Sequence, residues 1–428
     1  MQIHVVARGD TLFEIANTYH SSVNSIIAAN ELDTPSELVV GQALVIPIVG
    51  QFYFVQPGDT LYSIASSFGM TVQELARINN IGVNNPLSVG FRLYIPPLPK
   101  RAITSNAYIE PSGETVSTTL ENAATKTTPY LTYLAHFSYS VNRDGSLNAP
   151  PIGNLKTIAN RNNTALMLVL TNLEDGSFNS DLMHIILTVQ AVQNTLLDNI
   201  VNTATKGGFT DVHFDFEFIP PADREAYITF LRKTKERFSQ AGLLLSVALA
   251  PKTSATQTGT LYEAHDYGAI GKIADFVVLM TYEWGYSYGP PMAVSPLPEV
   301  KKVVEYALTE MPAEKILLGQ NLYGYDWTLP FVEGGAAARA VSPQQAIAIA
   351  RKHHVAIEYN TRAQAPFFQY TANDGKIHEV WFEDARSIQA KFDLIREVNL
   401  RGIAYWKLGL AFPQNWLLLN DQFEITKL

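Results

Sequence analysis

Between residues 103 and 408 the chain alternates short apolar, strand-like segments with stretches of helix length, and this alternation constrains the fold more than any other feature. The eight segments cover residues 103–108, 131–137, 165–171, 211–217, 243–250, 275–282, 315–322 and 402–408. Strands separated by helices form parallel βα units, because a parallel neighbour requires a crossover connection. Eight such units over roughly 330 residues indicate the α/β class and, within it, a closed (β/α)8 TIM barrel.

The connection between the seventh and eighth segments is too long for a single helix. Two further strand-like runs, at residues 367–370 and 377–382, flank an Asn-Asp-Gly sequence at 373–375, which is typical of a hairpin turn. A Ser-Pro pair at 342–343 precedes an Ala- and Ile-rich run and predicts the start of a helix. We therefore expect a small α+β insertion at about residues 325–385.

Composition excludes several classes of function. Lys and Arg total 31 against 40 Asp and Glu, a net charge of −9, which disfavours nucleic acid and anionic membranes as partners. The chain has no Cys, so it can form neither disulfides nor thiolate metal sites. We find no secretory leader, no membrane-spanning stretch and no His pair at helical ligand spacing. We expect a monomer that needs no metal and no other cofactor.

The first 97 residues contain an internal repeat. The sequence ARGDTLFEIANTY at 7–19 returns as QPGDTLYSIASSF at 56–68. Each copy predicts a βααβ unit, with Asp10 and Asp59 as the N-caps of the first helices. The predicted units are residues 2–48 and 51–97, and the barrel domain follows at residues 100–428.

The shared pattern G-D-T-L…I-A…N…L…G…L-x-I-P resembles the LysM module. The resemblance implies binding of N-acetylglucosamine-containing chains, such as peptidoglycan and chitin, in a groove between two loops of each copy. Taken singly, the Gly, Asp and Leu positions fit better with turn and cap roles, but the duplication favours binding by the module as a whole. The implied glycan-binding residues are Gly9, Asp10, Thr11, Leu12 and Asn30, and Gly58, Asp59, Thr60, Leu61 and Asn79.

The fourth barrel segment, DVHFDFE at 211–217, carries the chemistry. Alternation along a strand directs Asp211, His213, Asp215 and Glu217 to one side, the barrel interior. Ionisable groups are costly in an interior normally filled by aliphatic side chains. A buried structural network is the alternative, but the Asp215–Glu217 pair suits glycoside cleavage. One protonated carboxyl can donate to the leaving oxygen while the other charge stabilises an oxocarbenium-like transition state.

This segment resembles the D-x-x-D-x-D-x-E signature of glycoside hydrolase family 18, the chitinase family. Glu217 aligns with the proton donor, and Asp215 aligns with the carboxylate two residues before it. His213 stands at the middle Asp position and Thr210 at the first, with Asp211 displaced by one. We expect His213 to replace the inner Asp as a hydrogen-bond partner of Asp215.

Three more segments resemble the family: Met-Thr-Tyr-Glu at 280–283, residues 319–324 at the seventh strand and residues 402–409 at the eighth. The resemblance implies a retaining mechanism in which the substrate's own N-acetyl carbonyl attacks the anomeric carbon. Glu217, Asp215 and Tyr282 are then the catalytic residues. The implied substrate-binding residues are Trp406, His213, Asn321, Tyr323, Glu283 and Trp284.

Two LysM-like modules before such a barrel, with the segments at 103–111, 131–139 and 378–387, resemble the spore cortex-lytic branch of the family. The resemblance implies a peptidoglycan N-acetylglucosaminidase that acts on cortex or cortex fragments during germination. A protein made in the mother cell and deposited in the spore coat or cortex region would need no signal peptide. Two alternatives remain open: a catalytically silent wall-binding or coat protein, and a chitinase or endoglycosidase on the same barrel.

Overall fold

The computed structural model describes residues 1–428. Its strands are β1 Gln2–Val5, β2 Ala43–Ile46, β3 Gln51–Phe54, β4 Arg92–Ile95, β5 Arg101–Ile109, β6 Tyr133–Val141, β7 Leu147–Asn148, β8 Ala165–Thr171, β9 Leu173–Glu174, β10 Ser177–Phe178, β11 Asp211–Asp215, β12 Leu244–Leu249, β13 Phe276–Leu279, β14 Ile316–Asn321, β15 Gly324–Leu329, β16 Arg339–Val341, β17 Glu358–Asn360, β18 Ala365–Thr371, β19 Ile377–Trp381, β20 Gly402–Trp406 and β21 Phe423–Ile425.

The helices are α1 Leu12–Thr18, α2 Val23–Asn30, α3 Leu61–Ser67, α4 Val72–Ile78, α5 Thr118–Thr127, α6 Leu155–Arg161, α7 Ser180–Thr188, α8 Gln190–Gly207, α9 Arg224–Gln240, α10 Tyr267–Ile273, α11 Leu297–Glu310, α12 Pro343–Lys352, α13 Ala385–Glu397 and α14 Pro413–Gln422. None of them is both long and apolar enough to cross a membrane.

Eight parallel strands close into the predicted barrel. Their order around it is β5, β6, β8, β11, β12, β13, β14 and β20, and β20 pairs back to β5. Each corresponds to one of the eight predicted segments. The fourth strand ends at Asp215, two residues before the predicted end, because the amide of Glu217 donates to Asn172 Oδ1 rather than to the ladder.

Alternation divides the side chains of β11 between two cores, as predicted. Val212, Phe214 and Phe216 enter the apolar layer between strands and helices, a cluster of 66 buried residues. Asp211 and His213 point inward and are completely buried. The barrel interior is otherwise apolar and partly aromatic, including a stacked Tyr133–Phe276 pair.

The connection from β14 to β20 contains the predicted α+β insertion. Its five-stranded sheet has the order β16-β15-β19-β18-β17, with antiparallel pairing throughout. The predicted hairpin is the β18–β19 pair, whose turn includes Gly375 at a left-handed φ of 82°. The predicted start of helix α12 is also confirmed, since Ser342 caps it in a capping box with Gln345.

Each N-terminal module pairs its first and last strands antiparallel around two short helices. The predicted Asp N-caps are wrong by one residue. Thr11 and Thr60 are the caps, because their extended backbones place each hydroxyl to accept from the amide three residues on. The carboxylates of Asp10 and Asp59 instead close the preceding turns, accepting at 2.7 Å from the amides of Ala7 and Gln56.

The first module packs against the barrel, whereas the second does not. Ala43 and Val45 of β2 belong to the large apolar cluster of the barrel. Gln414 of α14 donates to Ala43 O at 2.8 Å, and the Ile357 amide donates to Val40 O at 2.9 Å. No hydrogen bond or ion pair joins residues 51–97 to the barrel. The second module instead contacts the first, where Arg92 donates to Thr18 O at 2.9 Å.

Candidate active site

A cleft of about 540 Å³ opens where the barrel strands end. This carboxyl edge is where βα barrels hold their active sites, because loops from several strands converge there. The insertion supplies part of one wall through Tyr325 and Ala340. The remaining lining side chains that matter here are Tyr108, Glu110, Phe137, Asp215, Glu217, Tyr282, Glu283, Tyr323, Trp406 and Lys407.

Asp215 and Glu217 share the centre of this cleft. Burial raises the pKa of Asp215 to about 7, and Asp215 Oδ1 is buried with no hydrogen-bond partner. Burial, and then the charge of Asp215, raises the pKa of Glu217 well above its ordinary value. Two carboxyls this close cannot both ionise readily, so Glu217 holds a proton at neutral pH. A protonated carboxyl beside an ionisable one is the pairing that acid-assisted glycoside cleavage requires.

His213 does not bond to Asp215, contrary to our expectation. Its Nε2 lies 2.9 Å from Tyr108 Oη, and its Nδ1 lies 2.8 Å from Ser246 Oγ. Ser246 in turn donates to Asp211 Oδ1 at 2.6 Å. The imidazole therefore lies beneath the cleft and bonds to the adjacent strand β12 and, across the barrel interior, to β5. Substrate-binding by His213 is accordingly indirect, through Tyr108, which lines the cleft.

Burial sets the charge of this chain of side chains. It lowers the pKa of His213 to about 3 and raises that of Asp211 to about 8. Because Ser246 gives its proton to Asp211, its oxygen accepts Nδ1–H, and Nε2 accepts the proton of Tyr108. The chain Tyr108–His213–Ser246–Asp211 is therefore a neutral, directional network at neutral pH. It fixes the phenol of Tyr108 at the floor of the cleft.

Tyr282 and Trp406 complete the centre of the site. Burial, then the charges of Asp215 and Glu217, raises the pKa of Tyr282, so it remains a hydrogen-bond donor. The Trp406 ring is held edge-to-face by Phe137 and Tyr108, with centroids 4.7 and 5.4 Å away. A fixed indole face in a cleft is a platform on which a pyranose ring can stack.

Glu283 and Tyr323 form one corner of the cleft. Tyr323 and Tyr325 both donate to the Glu283 carboxylate, the latter at 3.1 Å. Glu283 itself has a left-handed φ of 68°, a conformation that is costly for a residue with a side chain. Two phenols and this backbone therefore hold the carboxylate in one orientation toward the cleft.

Besides His213, two predicted substrate-binding residues lie outside the cleft. Trp284 packs against the apolar layer around the strands, because its amide bonds to Val294 O and turns the chain away. Asn321 is completely buried, and its amide donates to Tyr323 O at 2.6 Å. Asn321 therefore supports the loop that carries Tyr323 and does not reach a ligand.

The predicted glycan-binding residues of the modules have structural tasks. Leu12 and Leu61 are core residues, and Gly9 and Gly58 have the left-handed φ values that their turns require. Asn30 bonds to the backbone of Ile26 and Val45, and Asn79 to that of Leu75 and Tyr94. The side chains of Thr11, Thr60, Asp10 and Asp59 form helix caps and turns. Any glycan contact therefore comes from the exposed surface of the loops that contain these residues.

Sequence reasoning missed one pair of residues in the modules. Phe13 and Tyr62 occupy equivalent positions directly after the Gly-Asp-Thr-Leu sequences, and they are 68% and 73% exposed. A large aromatic side chain exposed at the same place in both copies is a candidate platform for sugar rings. Their equivalent positions in the two copies of the repeat are the sequence feature that could have identified them. Tyr108 and Ser246 were also missed, because only the barrel brings them near His213.

A barrel whose strand ends hold a protonated Glu beside an Asp, an inward Tyr and a Trp platform defines a glycoside hydrolase. The family model for glycosyl hydrolases family 18 matches residues 107–411, and the LysM domain model matches residues 4–47 and 53–96. The chain belongs to glycosyl hydrolases family 18 and carries two LysM domains. It is therefore a glycosidase rather than a silent binding protein.

Relatives with the same domain arrangement span the entire chain. A cortical fragment-lytic enzyme of Bacillus subtilis (strain 168) is 64% identical over 427 residues, covering 100% of this chain and 99% of the relative. One from Bacillus anthracis is 53% identical with the same coverage. The crystal structure of the Bacillus megaterium QM B1551 spore cortex-lytic enzyme SleL has a TM-score of 0.91 at 53% identity, covering 100% and 99%.

Proposed function

We propose that this chain is an N-acetylglucosaminidase that hydrolyses the glycosidic bond after N-acetylglucosamine in spore-cortex peptidoglycan fragments during germination. The observation that carries the proposal is the protonated Glu217 beside Asp215, in the same cleft as the Trp406 ring. The names of the full-length Bacillus relatives, cortical fragment-lytic enzymes, support this proposal. On this proposal the protein acts as a monomer and is made in the mother cell, and its peptidoglycan substrate reaches it at the spore coat or cortex.

The proposed first step breaks the glycosidic bond with help from the substrate. The sugar stacks on Trp406, and its N-acetyl oxygen attacks the anomeric carbon as Glu217 gives its proton to the leaving oxygen. Asp215 accepts the acetamido N–H and stabilises the positive charge of the oxazolinium intermediate. Tyr282 donates to the acetamido oxygen and orients it for attack. Burial strengthens these interactions because the cleft has a low effective dielectric constant.

The proposed second step restores the enzyme. Glu217, now a carboxylate, takes a proton from water, and the water oxygen attacks the anomeric carbon while the oxazolinium ring opens. Two inversions at one carbon give net retention of configuration. The raised pKa of Glu217 favours this step, because a carboxylate that binds protons strongly is the better general base.

Glu217→Gln tests the assignment. It retains the shape of the side chain and removes the acid, and acid catalysis usually contributes about 10²–10⁴-fold. We expect kcat on reduced-end-labelled cortex fragments to fall by at least about 10²-fold, with unchanged binding to insoluble cortex. Mass spectrometry of reduced muropeptides should show new products ending in reduced N-acetylglucosamine with wild type alone.

The same assay separates the alternatives. Exposed Glu225→Gln, on helix α9, is the matched control and should cleave like wild type. Products ending in reduced muramic acid would contradict the proposed bond specificity. Cleavage of chitin oligomers without any cleavage of cortex fragments would instead support a chitinase.

A further inference from the structure

An ion pair at the rim of the cleft takes no part in the mechanism above. Lys407 follows the Trp406 platform directly, and its ammonium donates to the Glu110 carboxylate at the end of β5. Both side chains line the cleft, and both are a little over one-third exposed. They are therefore within reach of a ligand that occupies the site.

Lys407 is the only basic residue that lines the cleft. The carboxyl groups that line the cleft are those of Glu110, Asp215, Glu217 and Glu283. Among them Glu217 holds a proton, and Glu110 is paired with Lys407. A neutral polymer such as chitin needs no cation there, whereas an anionic substrate would be attracted to the one cation among these carboxyl groups. An ammonium has three N–H donors, and that of Lys407 makes a single hydrogen bond. Two donors remain for a ligand.

The position of Lys407 suits a group on a sugar next to the one stacked on Trp406. Its Nζ lies over the Trp406 ring, 5.4 Å from the ring centroid, and is therefore close to any sugar that stacks there. Leu410, three residues on, lines both this cleft and a second cavity of about 700 Å³ between the barrel and the first LysM module. A glycan longer than the cleft therefore has open space beyond Lys407.

We propose that Lys407, held by Glu110, forms a subsite for a carboxylate carried by the sugar adjacent to the cleaved N-acetylglucosamine. This inference rests on the proposed function, because peptidoglycan supplies such carboxylates and chitin does not. The carboxylate belongs either to a muramyl lactyl group whose peptide has been removed or to a stem peptide that remains attached. The subsite thus distinguishes peptidoglycan fragments from neutral N-acetylglucosamine polymers.

Lys407→Met tests the subsite with four soluble substrates of equal length. They are a neutral N-acetylglucosamine oligomer, a peptide-free N-acetylglucosamine–muramic acid oligomer, its neutral methylamide derivative, and a peptide-bearing oligomer. We expect kcat/KM on a carboxylate substrate to fall roughly three- to tenfold relative to the neutral ones, the size of a partly exposed ion pair. The change should appear in KM, since the contact holds substrate and transition state alike.

Two further variants test the direction in which the ratio of kcat/KM on carboxylate to neutral substrates changes. Lys407→Arg retains the charge and should restore the wild-type ratio of carboxylate to neutral substrates. Glu110→Gln removes the competing anion and should raise that ratio, a change of opposite sign that carries the test if Lys407→Met does not fold. Exposed Lys206→Met, at the opposite end of the barrel, is the control. High salt should shrink every difference.

The outcomes are distinct. A loss confined to the peptide-free acid assigns the lactyl carboxylate, and a loss confined to the peptide-bearing oligomer assigns the stem peptide. An equal loss on all four substrates, with wild type still cleaving the muramyl oligomers, overturns the subsite alone. Wild type that cleaves only the neutral N-acetylglucosamine oligomer overturns the proposed function and, with it, the subsite.

Discussion

In the proposed mechanism Asp215 acts through its charge as well as through its contact with substrate. Burial is the first cause of the raised pKa of Glu217, and the negative charge of Asp215 is the second. Asp215→Asn removes that charge, so the pKa of Glu217 falls and the alkaline limb of kcat/KM moves to lower pH. We also expect kcat to fall about 10²-fold or more, since the oxazolinium loses its counter-charge. Rates measured from pH 4 to 9 check both effects.

Glu283→Gln is the control for that shift. Glu283 lies in the same cleft, but its charge is not among the causes of the raised pKa of Glu217. Its substitution should change KM without moving the alkaline limb. An alkaline limb that stays in place in Asp215→Asn would mean that burial alone keeps Glu217 protonated.

Asp211, on strand β11, lowers the stability of the folded chain to an extent that depends on pH. Burial raises the pKa of Asp211 from 3.8 to about 8. The folded chain thus binds a proton that the unfolded chain releases, so this carboxyl lowers the free energy of unfolding as pH rises from about 4 to 8. Asp211→Asn imitates the protonated form. We expect the free energy of unfolding of the variant minus that of wild type to be larger at pH 8 than at pH 5, by at least about 1 kcal/mol.

Urea unfolding at the two pH values measures this difference. Exposed Asp181→Asn, in the first turn of α7, is the matched control and should change stability equally at both. A difference between Asp211→Asn and wild type that stays constant with pH would mean that Asp211 is ionised in the folded protein.

The strands of this fold could be predicted from the sequence, whereas the partner of His213 and the helix caps could not. Periodicity found all eight strands, because each barrel strand is a compact apolar run, and alternation gave the inward face of β11. The partner of His213 was not predictable. Tyr108 and Ser246 are 105 and 33 residues away in sequence. Ser246 lies on β12, which pairs with β11, whereas Tyr108 on β5 reaches His213 across the interior of the closed barrel. The caps of α1 and α3 were misplaced because Asp-Thr offers two adjacent capping residues, and turn geometry alone selects the Thr.

At the scale of the whole molecule, the two LysM modules differ although their sequences repeat. Asn30 and Asn79 each connect a second helix to a last strand in the same way. Asn30 Oδ1 also accepts from Gln414 of the barrel at 2.7 Å, and Asp33 pairs with Arg351 at 2.8 Å. The first module is therefore part of the barrel's packing, while the second is attached through the first.

This asymmetry predicts different thermal unfolding for two equivalent substitutions. Asn30→Ala leaves the Val45 amide without a partner and removes one of the two acceptors of the Gln414 amide at the barrel interface. A buried unpaired group costs about 1–3 kcal/mol. We expect the main calorimetric transition, that of the barrel, to fall by about 2–4 °C per kcal/mol lost. Asn79→Ala should lower only the unfolding temperature of the second module, because no hydrogen bond connects that module to the barrel. Equal shifts of the barrel transition in both variants would show that the two modules are coupled to it alike, and no shift in either would show that the first module unfolds independently.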